Sequence, residues 1–141
     1  KYFVEERQEK IDINDIKEIS FDEKLFGYGD AEYIVLDEWE ADSQCREYIE
    51  NSLWAFNHDF VISHSDVLDY DNASYELLKV INNMCESGND IVRKLIRDID
   101  EFVEDAIEAD GRGHFLSGYD GAETEIANEE NVIEYLVYRI N

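Results

Sequence analysis

The sequence predicts an α+β fold: a small antiparallel sheet packed with about three helices, the longest near residues 90–110. Three observations carry this. Runs of β-branched and aromatic residues lie towards both ends of the chain, and helical periodicity fills the middle. No proline, low-complexity linker or repeat interrupts the 141 residues, so a single acidic domain over 1–141 is expected. A chain of this length buries about two-thirds of its unfolded surface, enough for one sizeable core.

Taken in order, Tyr2 to Glu5 suits a short strand, and "IDINDIKEI" (11–19) fits either a strand or a short helix. "AEYIVLDEW" (31–39) reads as a strand entered through the turn Gly27-Tyr28-Gly29-Asp30. From Asp42, an N-cap residue type, to about Phe56 the pattern is helical, with Cys45, Ile49, Leu53 and Phe56 on one face and Tyr48 beside them. "NHDFVISHSDVLDYD" (57–71) has the polar punctuation of a loop. Asn72 or Asp71 then caps a helix to about Cys85, with Leu77, Leu78, Ile81 and Met84 inward. Ser87-Gly88-Asn89 breaks it, and the longest helix runs from near Asp90 to Asp110-Gly111, where glycine ends it. "HFLSGY" (114–119) and "VIEYLVYRI" (132–140) read as strands, with Asp120-Gly121 opening a hairpin or meander through "ETEI".

Charge is the outlying property. Thirty-six acids against twelve Lys and Arg give a formal −24. Such self-repulsion works against compactness and is tolerated for solubility, for halophily or for recognition by a basic partner. Direct binding to nucleic acid needs a clustered positive face, so it is excluded, and anionic membranes are disfavoured likewise. Nine tyrosines, seven phenylalanines and two tryptophans argue against disorder. No apolar run reaches a membrane span and no signal-peptide pattern is visible, so a cytoplasmic protein is expected. Cys45 and Cys85 are expected as two buried free thiols rather than a disulfide or a metal pair.

The acids are ordered. Residues 96–110, "IRDIDEFVEDAIEAD", hold seven carboxylates and one arginine. At about 100° per residue, Ile91, Leu95, Ile99, Phe102, Val103 and Ala106 fall on one side of the helix. Asp98, Asp100, Glu101, Glu104, Asp105 and Glu108 fall on the other. A charged outer face is ordinary, but ordinary faces mix signs, because like charges three or four apart repel. From Asp98 to the end of the chain thirteen acids meet two bases, Arg112 and Arg139. Three or four residues of helix rise about 4.5–6 Å, the scale of phosphate spacing along a nucleic-acid strand. This spacing nominates Asp98, Glu101, Glu104, Asp105 and Glu108 as partner-binding residues, with Glu123, Glu125, Glu129 and Glu130 a second patch. The partner would be a basic nucleic-acid-binding protein.

Other motifs carry less. "DYDNASYELLKV" (69–80) starts like a calcium loop at Asp69 and Asp71 but lacks its glycine and terminal glutamate. Asp120, Glu123 and Glu125 could hold Mg²⁺ or Ca²⁺ weakly, though a hairpin turn explains them as well. His58, His64 and His114 lack metal-ligand spacing, and His64 near Asp66 reads as turn chemistry. Residues 109–121 set Arg112, His114, Ser117, Tyr119 and Asp120 among four glycines, either a polar pocket or a helix stop with two tight turns. No nucleophile elbow or phosphate loop is present, so no catalytic residue, no metal and no cofactor are expected, and the chain reads as a non-enzyme.

"EADGRGHFLSGYDGAETEI" with the terminal "YRIN" resembles the C-terminal signature of small acidic proteins of tailed bacteriophages, and "YIVLDEWEADSQCREYIENSLWAFN" is similar to their N-terminal half. The resemblance implies a viral protein with no assigned catalytic residues. Its class resembles DNA-mimicking antirestriction and anti-CRISPR inhibitors, which implies that the chain occupies the nucleic-acid cleft of a host nuclease or CRISPR effector in the host cytoplasm. Two alternatives stand beside it: an interaction protein that binds a host regulator, and a metal-dependent enzyme using Arg112, His114 and Asp120 of the 110–125 segment. A homodimer also stays open.

Overall fold

The run at 31–36 forms the central strand of a five-stranded antiparallel sheet, and the chain has the expected α+β architecture. The computed structural model describes residues 16–20 and 24–141. The strands are β1 (Ile16–Ser20), β2 (Leu25–Tyr28), β3 (Ala31–Leu36), β4 (Thr124–Ala127) and β5 (Ile133–Arg139), in the order β1-β2-β3-β5-β4. Six α-helices accompany them among the described residues: α1 (Glu38–Asn51), α2 (His58–Ser63), α3 (Asn72–Asn83), α4 (Asn89–Leu95), α5 (Ile99–Asp110) and α6 (Arg112–Leu116). Among the described residues two compact units result, one of residues 16–20, 24–45 and 110–141, the other of residues 46–109. No helix among the described residues is long and apolar enough to cross a membrane.

The sheet unit is built from alternation. Ala31 and Tyr33 of β3 lie with Ile126 and Val137 in one buried cluster, while Leu36 lies with Leu136, Tyr138 and Ala41 of α1 in another. Gly29 takes φ +60 at the first position of the two-residue β2–β3 turn, where glycine carries no steric cost. Helix α1 starts at Glu38, not Asp42, because Asp37 and Glu40 form a reciprocal capping box. The Asp37 carboxylate accepts from the Glu40 N–H at 2.7 Å, and the Glu40 carboxylate accepts from the Asp37 N–H at 3.1 Å. This cap also removes Trp39 from the expected strand. Asp42 instead accepts from Arg112.

Of the strand expected at 114–119, residues 114–116 belong instead to helix α6, whose Arg112 donates to Glu123 and Asp42, partners that period-2 reasoning does not see. Gly111 precedes it with φ +82, and a Cβ on Gly113 would sit 2.4 Å from the Gly121 carbonyl oxygen. "ETEI" and "VIEYLVYRI" do pair as a hairpin, but its turn lies at 128–132, where the Asn128 side chain accepts from the N–H groups of Glu130 and Val132. Of "IDINDIKEI", residues 16–19 are strand; Tyr2 to Glu5 and residues 11–15 lie outside the described residues.

In the helical unit Phe102 is fully buried, and its ring meets those of Phe56, Phe60 and His64 edge-on at 4.8 to 5.1 Å. Ile49, Leu53, Leu78, Ile81, Val92, Val103 and Ala106 are also buried in this unit. Asp71 caps α3 as expected, accepting from the Ser74 N–H at 2.8 Å, and that bond, then the Ser74 hydroxyl, lowers its pKa. The expected loop at 57–71 contains α2, which Asn57 caps by accepting from the Asp59 N–H. Leu77 and Met84, expected inward, are exposed, because Leu78 and Ile81 already fill the inner face of α3. Cys85, expected buried, is exposed, while Cys45 is buried; both are free thiols.

The helix expected over 90–110 is two helices, and α1 with 14 residues is the longest among the described residues. Apolar periodicity runs through the break, but tertiary hydrogen bonds cut it. Ile96 turns to extended backbone and bridges Ser65, and the Arg97 N–H donates to the His64 carbonyl at 2.8 Å. Asp98 then restarts the helix by accepting from the N–H groups of Asp100 and Glu101.

Candidate functional site

Helix α5 is oriented by its apolar side. Phe102, Val103 and Ala106 are buried, so Asp100, Glu101, Glu104 and Glu108 are exposed and Asp105 is half-buried. The helix therefore does bring Glu101, Glu104, Asp105 and Glu108 to one outer surface, with Asp98 at its start.

That surface is not uniformly free. Asp98 is committed to capping. Asp100 pairs with Arg46, whose pKa is raised chiefly by that hydrogen bond. Glu101 lies 3.7 Å from Arg97, and Arg97 also donates to Asp66 at 3.0 Å. Arg46 with Asp100 and Arg97 with Asp66 are thus pairs that the linear sequence does not show, whereas Arg97 with Glu101 is an i,i+4 pair. Glu104 and Glu108, one helical turn apart, have no ion pair among the described residues, and both are exposed. Ion pairing thus falls off along the helix, from Asp100 and Glu101 near its start to Glu104 and Glu108, which have none among the described residues.

Asp105 meets a partner that sequence reasoning missed. His64, with a side chain 7% exposed, places Nε2 at 2.7 Å from Asp105 Oδ2 across 41 residues of sequence. Its Nδ1 lies 2.9 Å from the Phe60 carbonyl oxygen and 3.0 Å from Ser63 Oγ. Glu101 stands close by, so that one ligand atom from each of His64, Glu101 and Asp105 lies within 4.8 Å of the others. This is the one convergent group of metal-ligating side chains among the described residues. Spacing could have shown that Glu101 and Asp105 share a helix face; nothing local points to His64.

The second predicted patch divides. Glu123 accepts two hydrogen bonds from Arg112, at 2.9 and 3.0 Å, and one from the Tyr138 hydroxyl at 2.5 Å. Arg112 also donates to Asp42 at 2.8 Å. Burial pulls the Arg112 pKa down, but the bonds to Glu123 and Asp42 outweigh it and the net shift is upward. Glu123 is therefore a structural group of the sheet unit. Glu125 on β4 and Glu129 and Glu130 in the following turn are exposed. The polar residues of 109–121 likewise hold their own segment together. Ser117 is buried with Oγ 2.9 Å from Asp120 Oδ1 and 2.7 Å from the Arg139 carbonyl oxygen. Asp120 also accepts from the Ala122 N–H, which with the Ser117 hydroxyl lowers its pKa. His114 is exposed, and Tyr119 lies under the Arg139 guanidinium at 3.6 Å.

Comparisons with protein-family models, with curated proteins and with solved structures return no match.

Proposed function

We propose that the chain is a non-enzymatic binding protein that presents carboxylates to the basic, nucleic-acid-binding cleft of a partner. In the phage setting implied by its sequence resemblance, that partner is a host defence nuclease or CRISPR effector in the host cytoplasm. The observation that carries the reading is the outer surface of α5. Glu104 and Glu108 stand one turn apart, exposed and without a counter-charge among the described residues, beside Glu101 and Asp105. Surface ion pairs such as Glu101 with Arg97 contribute little in water, so a cationic cleft can exchange them for its own side chains at small cost. The helical unit holds fifteen acids against five bases, which favours fast, salt-sensitive association.

The test is capture of nucleic-acid-binding proteins from a bacterial lysate on the immobilised chain. Bound proteins should elute between about 50 mM and about 500 mM NaCl and be displaced by duplex DNA. Glu104→Lys with Glu108→Lys should abolish capture. Retention that neither salt, nor DNA, nor the double charge reversal affects would refute the reading.

A second reading has its own observation. Leu77, Val80 and Met84, three and four residues apart on α3, are exposed by 44%, 59% and 40%. Such a stripe suits a partner, for instance a host regulator, bound through ordinary apolar contacts. In that case Leu77→Ser with Val80→Ser removes binding and the α5 charge reversal does not.

A further inference from the structure

We infer that His64, Asp105 and Glu101 form a binding site for a borderline divalent cation of the Zn²⁺ type. The argument starts from one ring. The Phe60 carbonyl oxygen, 2.9 Å from Nδ1, can only accept a hydrogen bond. Ser63 Oγ, 3.0 Å from Nδ1, donates its own hydrogen to that same carbonyl at 2.6 Å, so it too presents lone pairs to the ring. Nδ1 therefore carries the hydrogen. In the neutral ring Nε2 is then a bare lone pair, and it faces the Asp105 carboxylate at 2.7 Å. Two electron-pair donors at that distance repel unless something positive lies between them. A proton can fill the role, and so can a metal ion.

The surroundings favour the ion when it is supplied. A backbone carbonyl holding the far nitrogen of an imidazole is the usual outer-shell arrangement of metal-ligating histidine, because it fixes the tautomer and ring direction. The ring is further held by Phe60 and Phe102, at 4.6 and 5.1 Å between centroids. Asp105 and Glu101, one turn apart on α5, supply two carboxylates on the accessible side. Imidazole with carboxylates selects Zn²⁺, Co²⁺ or Ni²⁺ over the oxygen-seeking Mg²⁺ and Ca²⁺. A tetrahedral Zn²⁺ with bonds of about 2.0–2.2 Å needs Nε2 and the carboxylate oxygen about 3.4 Å apart, a movement well below 1 Å. Asp105 is half-exposed and can make it; the buried His64 need not move. Glu101 would leave Arg97, which keeps its bond to Asp66. Three protein ligands leave a fourth position open to water or to a donor atom from another molecule.

This inference does not rest on the partner-binding reading. It is tested by calorimetric titration of ZnCl₂ into the chelator-stripped full chain, in a Cys85→Ser background that removes the exposed thiol. Saturable one-to-one binding with Kd on the order of 1 μM or below is expected. Asp105→Asn and Glu101→Gln should each weaken it by about tenfold or more. Glu76→Gln with Glu86→Gln, two exposed acids elsewhere in the helical unit, should leave it unchanged. Zn²⁺ should also move the His64 Nε2 nitrogen resonance and not that of His58 or His114. Absence of saturable binding below about 100 μM, equal weakening by the control pair, or Zn²⁺ shifts confined to the other histidines would each overturn the assignment.

Discussion

Glu123 and Glu104 have the same side chain and opposite fates. Glu123 is enclosed by Arg112 and Tyr138, one corner of a network that also takes in Asp42. Glu104 stands on the outer surface of α5 with no ion pair among the described residues. Both contribute one unit to the formal −24. Net charge alone therefore says little about which acids can meet a partner; burial and the position of a few guanidinium groups decide it. In the sheet unit Arg112 holds Glu123 as internal structure and also reaches two exposed acids, Asp42 and Glu38. In the helical unit Arg46 and Arg97 sit near the beginning of α5 and pair with neither Glu104 nor Glu108.

The contrast breaks most completely if the floor beneath the open acids is removed. Phe102 is fully buried among aromatic rings, so Phe102→Ala should cost about 3–5 kcal/mol, read as a shift in the denaturant midpoint. A midpoint unchanged by that substitution would mean that α5 is not anchored as described. Next comes a matched pair of arginine substitutions. Arg112→Met strands Glu123 half-buried with one fewer charged partner and should cost about 2 kcal/mol. Arg97→Met, at an exposed pair, should leave the midpoint where it is while freeing Glu101 and Asp66. Equal losses from the two would erase the distinction between the networks.

The last effect appears only at alkaline pH. Burial pushes the Cys45 thiol up from 9.0 to about 12, opposed by Arg112, and burial followed by the bond to Glu123 raises the Tyr138 hydroxyl above its ordinary 10.0. Both groups keep their protons when folded and release them near ordinary values when unfolded. The stability they contribute is complete below about pH 9 and falls as pH rises from there towards the folded values. Denaturation compared between about pH 8 and about pH 10.5 should show this loss, and Cys45→Ala with Tyr138→Phe should flatten it.

Much of this organisation was legible in order of locality. Strands β3 and β5 follow from β-branched and aromatic runs, and α3 follows from Asp71 with Leu78 and Ile81 behind it. The outward direction of the α5 acids follows from where Phe102, Val103 and Ala106 fall on the helix. The misses share a cause. Ile96 belongs to a helical pattern yet pairs with Ser65, and residues 114–119 read as a strand yet 112–116 coil into a helix with Gly113 against Gly121. Each depends on a segment distant in sequence.

What the sequence determined by itself is therefore whatever depends on short-range chemistry: residue periodicity, caps, the α+β class and an acidic excess too large to be neutralised internally. What only the tertiary structure decided is which acids are engaged. Arg112 binds Glu123, Arg46 reaches Asp100, and a buried His64 turns its ring towards Asp105. Hydrogen bonds and ion pairs act over a few ångströms of space, whatever the distance along the chain, so the same letters read as open or occupied only once the chain has folded.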